Sequence, residues 1–266
     1  MQSLASKLDE IVAHKRTEVA QLHATSSDAW VRAAEEREYP IGDFAEALRR
    51  GQPLAVIAEI KRASPSAGTI NADFDPVDVA ARYAEAGASA LSILTDEQFF
   101  QGHVDILKTV RRSQPAGAPP ILRKDFLIDE VQLWQSVAIE ADAVLLIAEC
   151  LPGNQLRDMH QTARGLGLQT LIELYDEANL SRVLDCDPEI VGVNNRDLQT
   201  FTVDINHSRR LRSQVPRDVL FVSESGLKTR DDTQPLVESG VDAILVGETL
   251  MRADDIAAAM NELRGF

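Results

Sequence analysis

The 266 residues carry a formal net charge of -15 and 44% hydrophobic side chains, enough apolar material for a large core and too negative a mean field to hold a nucleic-acid backbone. Two distant cysteines, Cys150 and Cys186, argue against a disulfide framework or structural zinc, and no run approaches the about 18 consecutive apolar residues of a membrane helix. The histidines (His14, His23, His103, His160, His207) are scattered, read as surface or loop residues, and form no HExxH pair, so no metal is expected.

The opening segment, MQSLASKLDEIVAHKR, lacks the basic-then-apolar plan of a secretion signal, and a cytoplasmic protein is expected. Leu4, Leu8, Ile11 and Val12 fall on one helical face. A second amphipathic stretch, DFAEALRR, stops at Gly51, so residues 1–52 form a helical extension ahead of the first strand, PLAVIAEIKR. The chain then becomes rhythmic: LAVIAEIK, ALSILTD, PILRKDF, AVLLIAE, QTLIELYD, EIVGVNN, VLFVSESG and AILVGET are short β-rich runs, separated by helix-length segments such as PVDVAARYAEAG. Continuous apolar runs with helical crossovers predict a parallel sheet covered on both faces. EAGASALSIL, IEADAVLLIAE and ESGVDAILVGE repeat one helix-to-strand joint. An open doubly wound sheet shows such joints too, but eight strands favour closure into a (β/α)8 TIM barrel, one domain over residues 1–266 with the extension at its front.

QPAGAPP is read as the loop before the third strand, and Trp30 and Trp134 as packing residues in helical segments. GLGLQT departs from the dinucleotide fingerprint and precedes a strand, so it implies no nucleotide cofactor.

Polar residues at the C-terminal ends of apolar strands are the informative anomaly, because barrel active sites are built there and charge is costly in a core. Glu59 and Lys61 of the first strand share a face. Arg123 and Lys124 of the third strand point oppositely. Glu173, then Asn194 and Arg196, then Glu224 and Ser225 follow on the fifth, sixth and seventh strands. One strand-end charge is ordinarily a solvated rim residue or half of an ion pair. A convergent set of lysines and glutamates can instead perturb one another's protonation. Gly226 and Gly247 follow the last two strands, where barrel phosphate sites commonly lie. Ser64 and Ser66 lie in RASPSAGTI, a loop able to cover a ligand or simply to lie on the surface.

In order, EIKRASPSAG, LTDEQFFQG, LRKDFLID, LIELYDE, VNNRDL, SESGL and VGETLMR resemble the signature segments of the indole-3-glycerol phosphate synthase family, from about residue 54 to the end of the sequence. The leading helices resemble that family's N-terminal extension. The resemblance implies conversion of 1-(2-carboxyphenylamino)-1-deoxyribulose 5-phosphate to indole-3-glycerol phosphate, carbon dioxide and water, without a cofactor, by a monomer. It implies Lys124 as general acid and Glu173 as base or proton relay, with Lys61 holding the substrate carboxylate or assisting proton transfer and Glu59 orienting a lysine and sharing in acid–base work. Asn194, Glu224, Arg196 and Ser225 complete the polar ring, and Phe100 and Phe126 flank the aromatic ring. Ser64, Gly226, Gly247 and Glu248 map to phosphate contacts, the last through its backbone N–H. Gln101 and Glu248 stand where asparagine and serine are frequent, and a carboxylate at 248 has to point away from phosphate. The competing readings are another phosphate-binding barrel such as phosphoribosylanthranilate isomerase, a Schiff-base aldolase using Lys124, and a non-catalytic binding barrel.

Overall fold

A computed structural model describes residues 7–24, 27–64, 68–70, 75–197 and 202–265, the side chains of Ser27, Ser64 and Thr69 excepted. Leu4 and Ser66 lie outside the described residues. The eight apolar runs are strands: β1 (Ala55–Ile60), β2 (Ala90–Leu94), β3 (Ile121–Lys124), β4 (Ala143–Ile147), β5 (Gln169–Leu174), β6 (Ile190–Asn194), β7 (Leu220–Glu224) and β8 (Ala243–Val246). Each is parallel to both neighbours, and β1 pairs with β8 from Ala55↔Ala243 and with β2 from Ile57↔Ala90, which closes the ring. β1, β2, β4, β6, β7 and β8 are buried along their whole length, as strands between a packed interior and a helical layer must be. A short hairpin, Ala63–Ser64 with Gly68–Thr69, follows β1.

The helices are α1 (Lys7–Ala24), α2 (Ser27–Glu35), α3 (Phe44–Arg50), α4 (Pro76–Glu85), α5 (Glu97–Phe100), α6 (Val104–Ser113), α7 (Glu130–Ala138), α8 (Gln155–Gly165), α9 (Leu180–Leu184), α10 (Asn206–Arg212), α11 (Arg230–Ser239), α12 (Glu248–Met251) and α13 (Ile256–Arg264). Their starts follow local chemistry: Asp75 caps α4 ahead of Pro76, and Asp129 with Gln132 forms a capping box on α7. Among the described residues, no helix is long and apolar enough to cross a membrane.

Trp30 on α2 and Trp134 on α7 are half-buried against the core, and both cysteines are buried free thiols. His160 departs from the surface reading of the histidines: it is buried on α8, with one ring nitrogen 2.8 Å from Thr170 Oγ1.

The extension is fastened at the N-terminal mouth. Asp142, fully buried just before β4, accepts the N–H groups of Gly42 and Ile121, both at 2.7 Å, and pairs with Arg37 at 3.2 Å and with Arg111. Arg37 also donates to Ala141 O at 2.8 Å, so one carboxylate joins the chain after α2 to α6 and two strands. Asp142→Ala strands two guanidinium groups and two backbone donors, and an expected loss of about 3–5 kcal/mol in unfolding free energy is measurable by urea denaturation.

Candidate active site

Strand alternation decides which charges reach the C-terminal mouth. At the end of β3, Arg123 and Lys124 face opposite ways. Arg123 turns to the helical layer, donating to Gln132 O and Ser136 Oγ at 3.0 Å, Gln135 Oε1 at 2.7 Å and Asp125 Oδ2 at 3.1 Å. It is a buried structural tie rather than a mouth residue. Lys124 turns inward, and its Nζ lies 2.7 Å from Glu173 Oε2 on β5 and 3.2 Å from Glu224 Oε2 on β7.

These three groups set one another's protonation. Burial by itself pushes the Lys124 pKa down, but Glu173, then Glu224 and Glu59, outweigh it and hold the ammonium above its ordinary range. Burial likewise opposes charge on Glu173, yet the Lys124 ammonium and hydrogen bonds from Lys124, Glu224 and Asn194 hold that carboxyl below the usual range. Glu224 is pushed well above it, first by burial and then by the negative charge on Glu173. The two carboxyls therefore compete for one proton, and Glu224 holds it the more tightly of the pair, hydrogen-bonded toward Glu173.

Asn194 Nδ2 donates to Glu173 Oε1 at 3.2 Å, and Asn194 Oδ1 accepts the Arg196 N–H at 3.0 Å. On β1, Glu59 is buried, and the Lys61 ammonium just beyond the strand lies 2.5 Å from its Oε1. Phe100 and Phe126 stand with ring centroids 6.1 Å apart and tilted by 37°. Ser225 and Gly226 follow β7 with φ of 70° and 85°. Their turn is secured by Asn195, which donates to Ser225 O at 3.1 Å and accepts from the buried Ser208 hydroxyl at 2.8 Å. Gly247 precedes α12 at the end of β8, and Arg252 one turn on holds the Glu248 carboxylate at 3.1 Å.

All of these except Asn195, Ser208 and the outward-turned Arg123 with its α7 partners line one cleft of about 600 Å³, floored by Leu145, Ile147 and Leu245. Every sequence-predicted site residue that is fully described lines it; of Ser64 only the backbone, in the hairpin after β1, is among the described residues.

Two glycines make room for this set. A Cβ on Gly247 lies 3.0 Å from Lys61 Nζ and closer still to Glu59 Oε1. Gly192, inside β6, is a residue the sequence reading passed over. A Cβ there meets Leu171 Cδ1 at 3.1 Å and runs into Glu224 Oε1, an oxygen with no hydrogen-bond partner among the described residues. Its only signal in the sequence is a glycine inside an apolar strand, where close approach by another group is expected. Gly192→Ala is expected to cost about 1–3 kcal/mol by overpacking, read as a shift in the denaturation midpoint.

A closed (β/α)8 barrel holding one ammonium between two proton-sharing carboxyls at its C-terminal mouth is a barrel enzyme built for acid–base chemistry. The profile of the family described as indole-3-glycerol phosphate synthase matches residues 8–263, and the chain belongs to that family. The indole-3-glycerol phosphate synthase of Rhodopirellula baltica is 48% identical over 257 residues, covering 96% of this chain and 98% of that one. That of a Polaromonas species is 46% identical over 263 residues, covering 97% and 98%. Among solved structures, a 3-hexulose-6-phosphate synthase aligns with a TM-score of 0.63 at 14% identity, covering 80% of this chain and 99% of its own. Thiamine phosphate pyrophosphorylase from Pyrococcus furiosus aligns at 0.60 and 18%, covering 84% and 96%. These two likenesses concern the fold.

Proposed function

We propose that this chain closes the indole ring of 1-(2-carboxyphenylamino)-1-deoxyribulose 5-phosphate, giving indole-3-glycerol phosphate, carbon dioxide and water. The observation that carries the reading is the Lys124 ammonium at 2.7 Å from Glu173 and 3.2 Å from Glu224. Attack of the arene carbon on the ketone builds negative charge on the carbonyl oxygen, and a held ammonium both stabilises that charge and delivers a proton. Lys124 does this, while Lys61, steered by Glu59, holds the carboxylate that leaves as carbon dioxide. Loss of the resulting hydroxyl as water needs an acid to protonate it, a role Lys61 takes once carbon dioxide has left, and a base to take a proton from the carbon beside the ring nitrogen. Glu173 is the base, and Glu224 and Asn194 tune and orient it. Phe100 and Phe126 flank the arene.

Arg196 and Ser225 contact the sugar chain, and the phosphate rests on the turns at Gly226 and Gly247, with the Ser64 loop and the Glu248 N–H completing its contacts. Engagement of the Glu248 carboxylate by Arg252 supports a backbone-only role for that residue. Buried, unbridged Cys150 and Cys186 fit a cytoplasmic enzyme, and we propose that it works as a monomer. The test is an assay of indole fluorescence growing from the anilino-ribulose phosphate. Turnover is expected, and folded protein that yields no indole overturns the reading in favour of a binding barrel.

A further inference from the structure

Lys15 breaks the pattern of its own helix. On α1 it sits between Ile11 and Val19 in the buried stripe that faces the barrel, where an amphipathic helix ordinarily places apolar side chains. Its side chain is 1% exposed, and an ammonium so deeply buried persists only against paired carboxylates. Its Nζ lies 2.7 Å from Glu18 Oε2 on the same helix, 2.8 Å from Asp125 Oδ1 and 3.0 Å from Asp96 Oδ2.

Both aspartates hold something else. Asp96 caps the single turn of α5, its Oδ1 accepting the N–H groups of Phe99 at 2.7 Å and Phe100 at 3.2 Å. Asp125 accepts the Phe126 N–H at 2.8 Å through Oδ1, and the Thr95 hydroxyl at 2.6 Å and Arg123 at 3.1 Å through Oδ2. One ammonium from the N-terminal extension thus touches the carboxylate that aims Phe100 and the carboxylate that aims Phe126. Glu173 and Glu224 are not among its partners.

We infer that Lys15 is a positioning residue, through which the docked α1 helix sets the spacing of the Phe100–Phe126 pair that receives the substrate's aromatic ring. The inference rests on the proposed reading in taking that ring to be the ligand of the pair. Removing the ammonium leaves Asp96 with its backbone donors alone and Asp125 with Arg123 as its charged partner beside the Thr95 hydroxyl and the Phe126 N–H, so the two buried carboxylates shift and each carries a phenylalanine with it. The lysine–glutamate centre keeps its own contacts. Loss is therefore expected at the arene end of the cleft and not at the phosphate end.

The test uses the full chain with Lys15→Met, and Lys15→Met combined with Asp96→Asn. The double variant removes the uncompensated carboxylate while asparagine still caps α5. In both, KM for the anilino-ribulose phosphate and the dissociation constant of an N-alkyl anthranilate, measured by calorimetry, are expected to rise about tenfold. With kcat within about threefold of the parent, inhibition by inorganic phosphate is expected to be unchanged. Equal weakening of anthranilate and phosphate, a fall in kcat at constant KM, parental affinity in the double variant, or failure of both variants to fold each overturns the inference. Absence of turnover in the parent chain counts against the proposed activity instead, and the anthranilate and phosphate affinities still decide the role of Lys15.

Discussion

Lys124→Ala is expected to lower kcat by at least about 10²–10⁴-fold while the barrel folds. The side chain is 13% exposed and opens onto the cleft, so its removal leaves a space that water enters rather than a sealed void. The two glutamates left behind need not both stay charged. The Glu224 pKa is already raised, and Glu173, deprived of the ammonium that kept its pKa low, takes up a proton more readily. The native state thereby avoids two unpaired buried anions, and the loss falls on chemistry. Lys124→Arg separates charge from proton donation, because a guanidinium keeps the positive charge but does not give up a proton in the accessible pH range. It is expected to bind substrate and remain as slow as the alanine variant. Steady-state indole fluorescence together with thermal melting checks both variants, and near-parental turnover in either one removes Lys124 from the role of acid. Treatment with borohydride in the presence of substrate is expected to leave the parent enzyme active, since ring closure passes through no imine.

What could be read in the sequence and what could not divide along a physical line. Alternation within a strand is local, so Lys124 was separable from Arg123 by parity, and Glu59 and Lys61 could be put on one face from their spacing. The stagger between strands is not local. It depends on the tilt and shear of the closed barrel, and it is the register that places Gly192 beside Glu173 and Asn194 beside Glu224. Only with that register does the missing side chain of Gly192 become the space over which Glu224 leans, and only then do two glutamates 51 positions apart share a proton. Lys15 escaped for a related reason. Apolar periodicity along α1 picks out Leu8, Ile11 and Val12 and carries no signal for a lysine in the same stripe. Its two aspartate partners lie in loops after β2 and β3, which no spacing along α1 can announce.

The paired glutamates are expected to respond in opposite ways to the same conservative change. Glu173→Gln removes the buried negative charge that balances Lys124 and also the base, and a fall in kcat of about 10²–10⁴-fold is expected. Glu224→Gln replaces the carboxyl whose pKa is raised, and which therefore favours its neutral form, by a neutral amide of the same shape. The amide donates to Glu173 and accepts from Lys124, so kcat at neutral pH stays within about tenfold, the worth of one neutral hydrogen bond. The pH profiles carry the sharper contrast. The Glu173 pKa is depressed, so its contribution is present above the ordinary carboxylate range and is lost as pH falls through the depressed value. The Glu224 pKa is raised, so its contribution is present at low pH and is lost as pH rises through the raised value, when a second negative charge forms beside the first. The parent enzyme should therefore lose both stability and kcat/KM on an alkaline limb that belongs to the pair. Glu224→Gln has no proton to lose there and should abolish that limb while keeping the acid one. An unchanged alkaline limb in this variant would mean that the pair does not share a proton, and that Lys124 is held by two carboxylates instead of one.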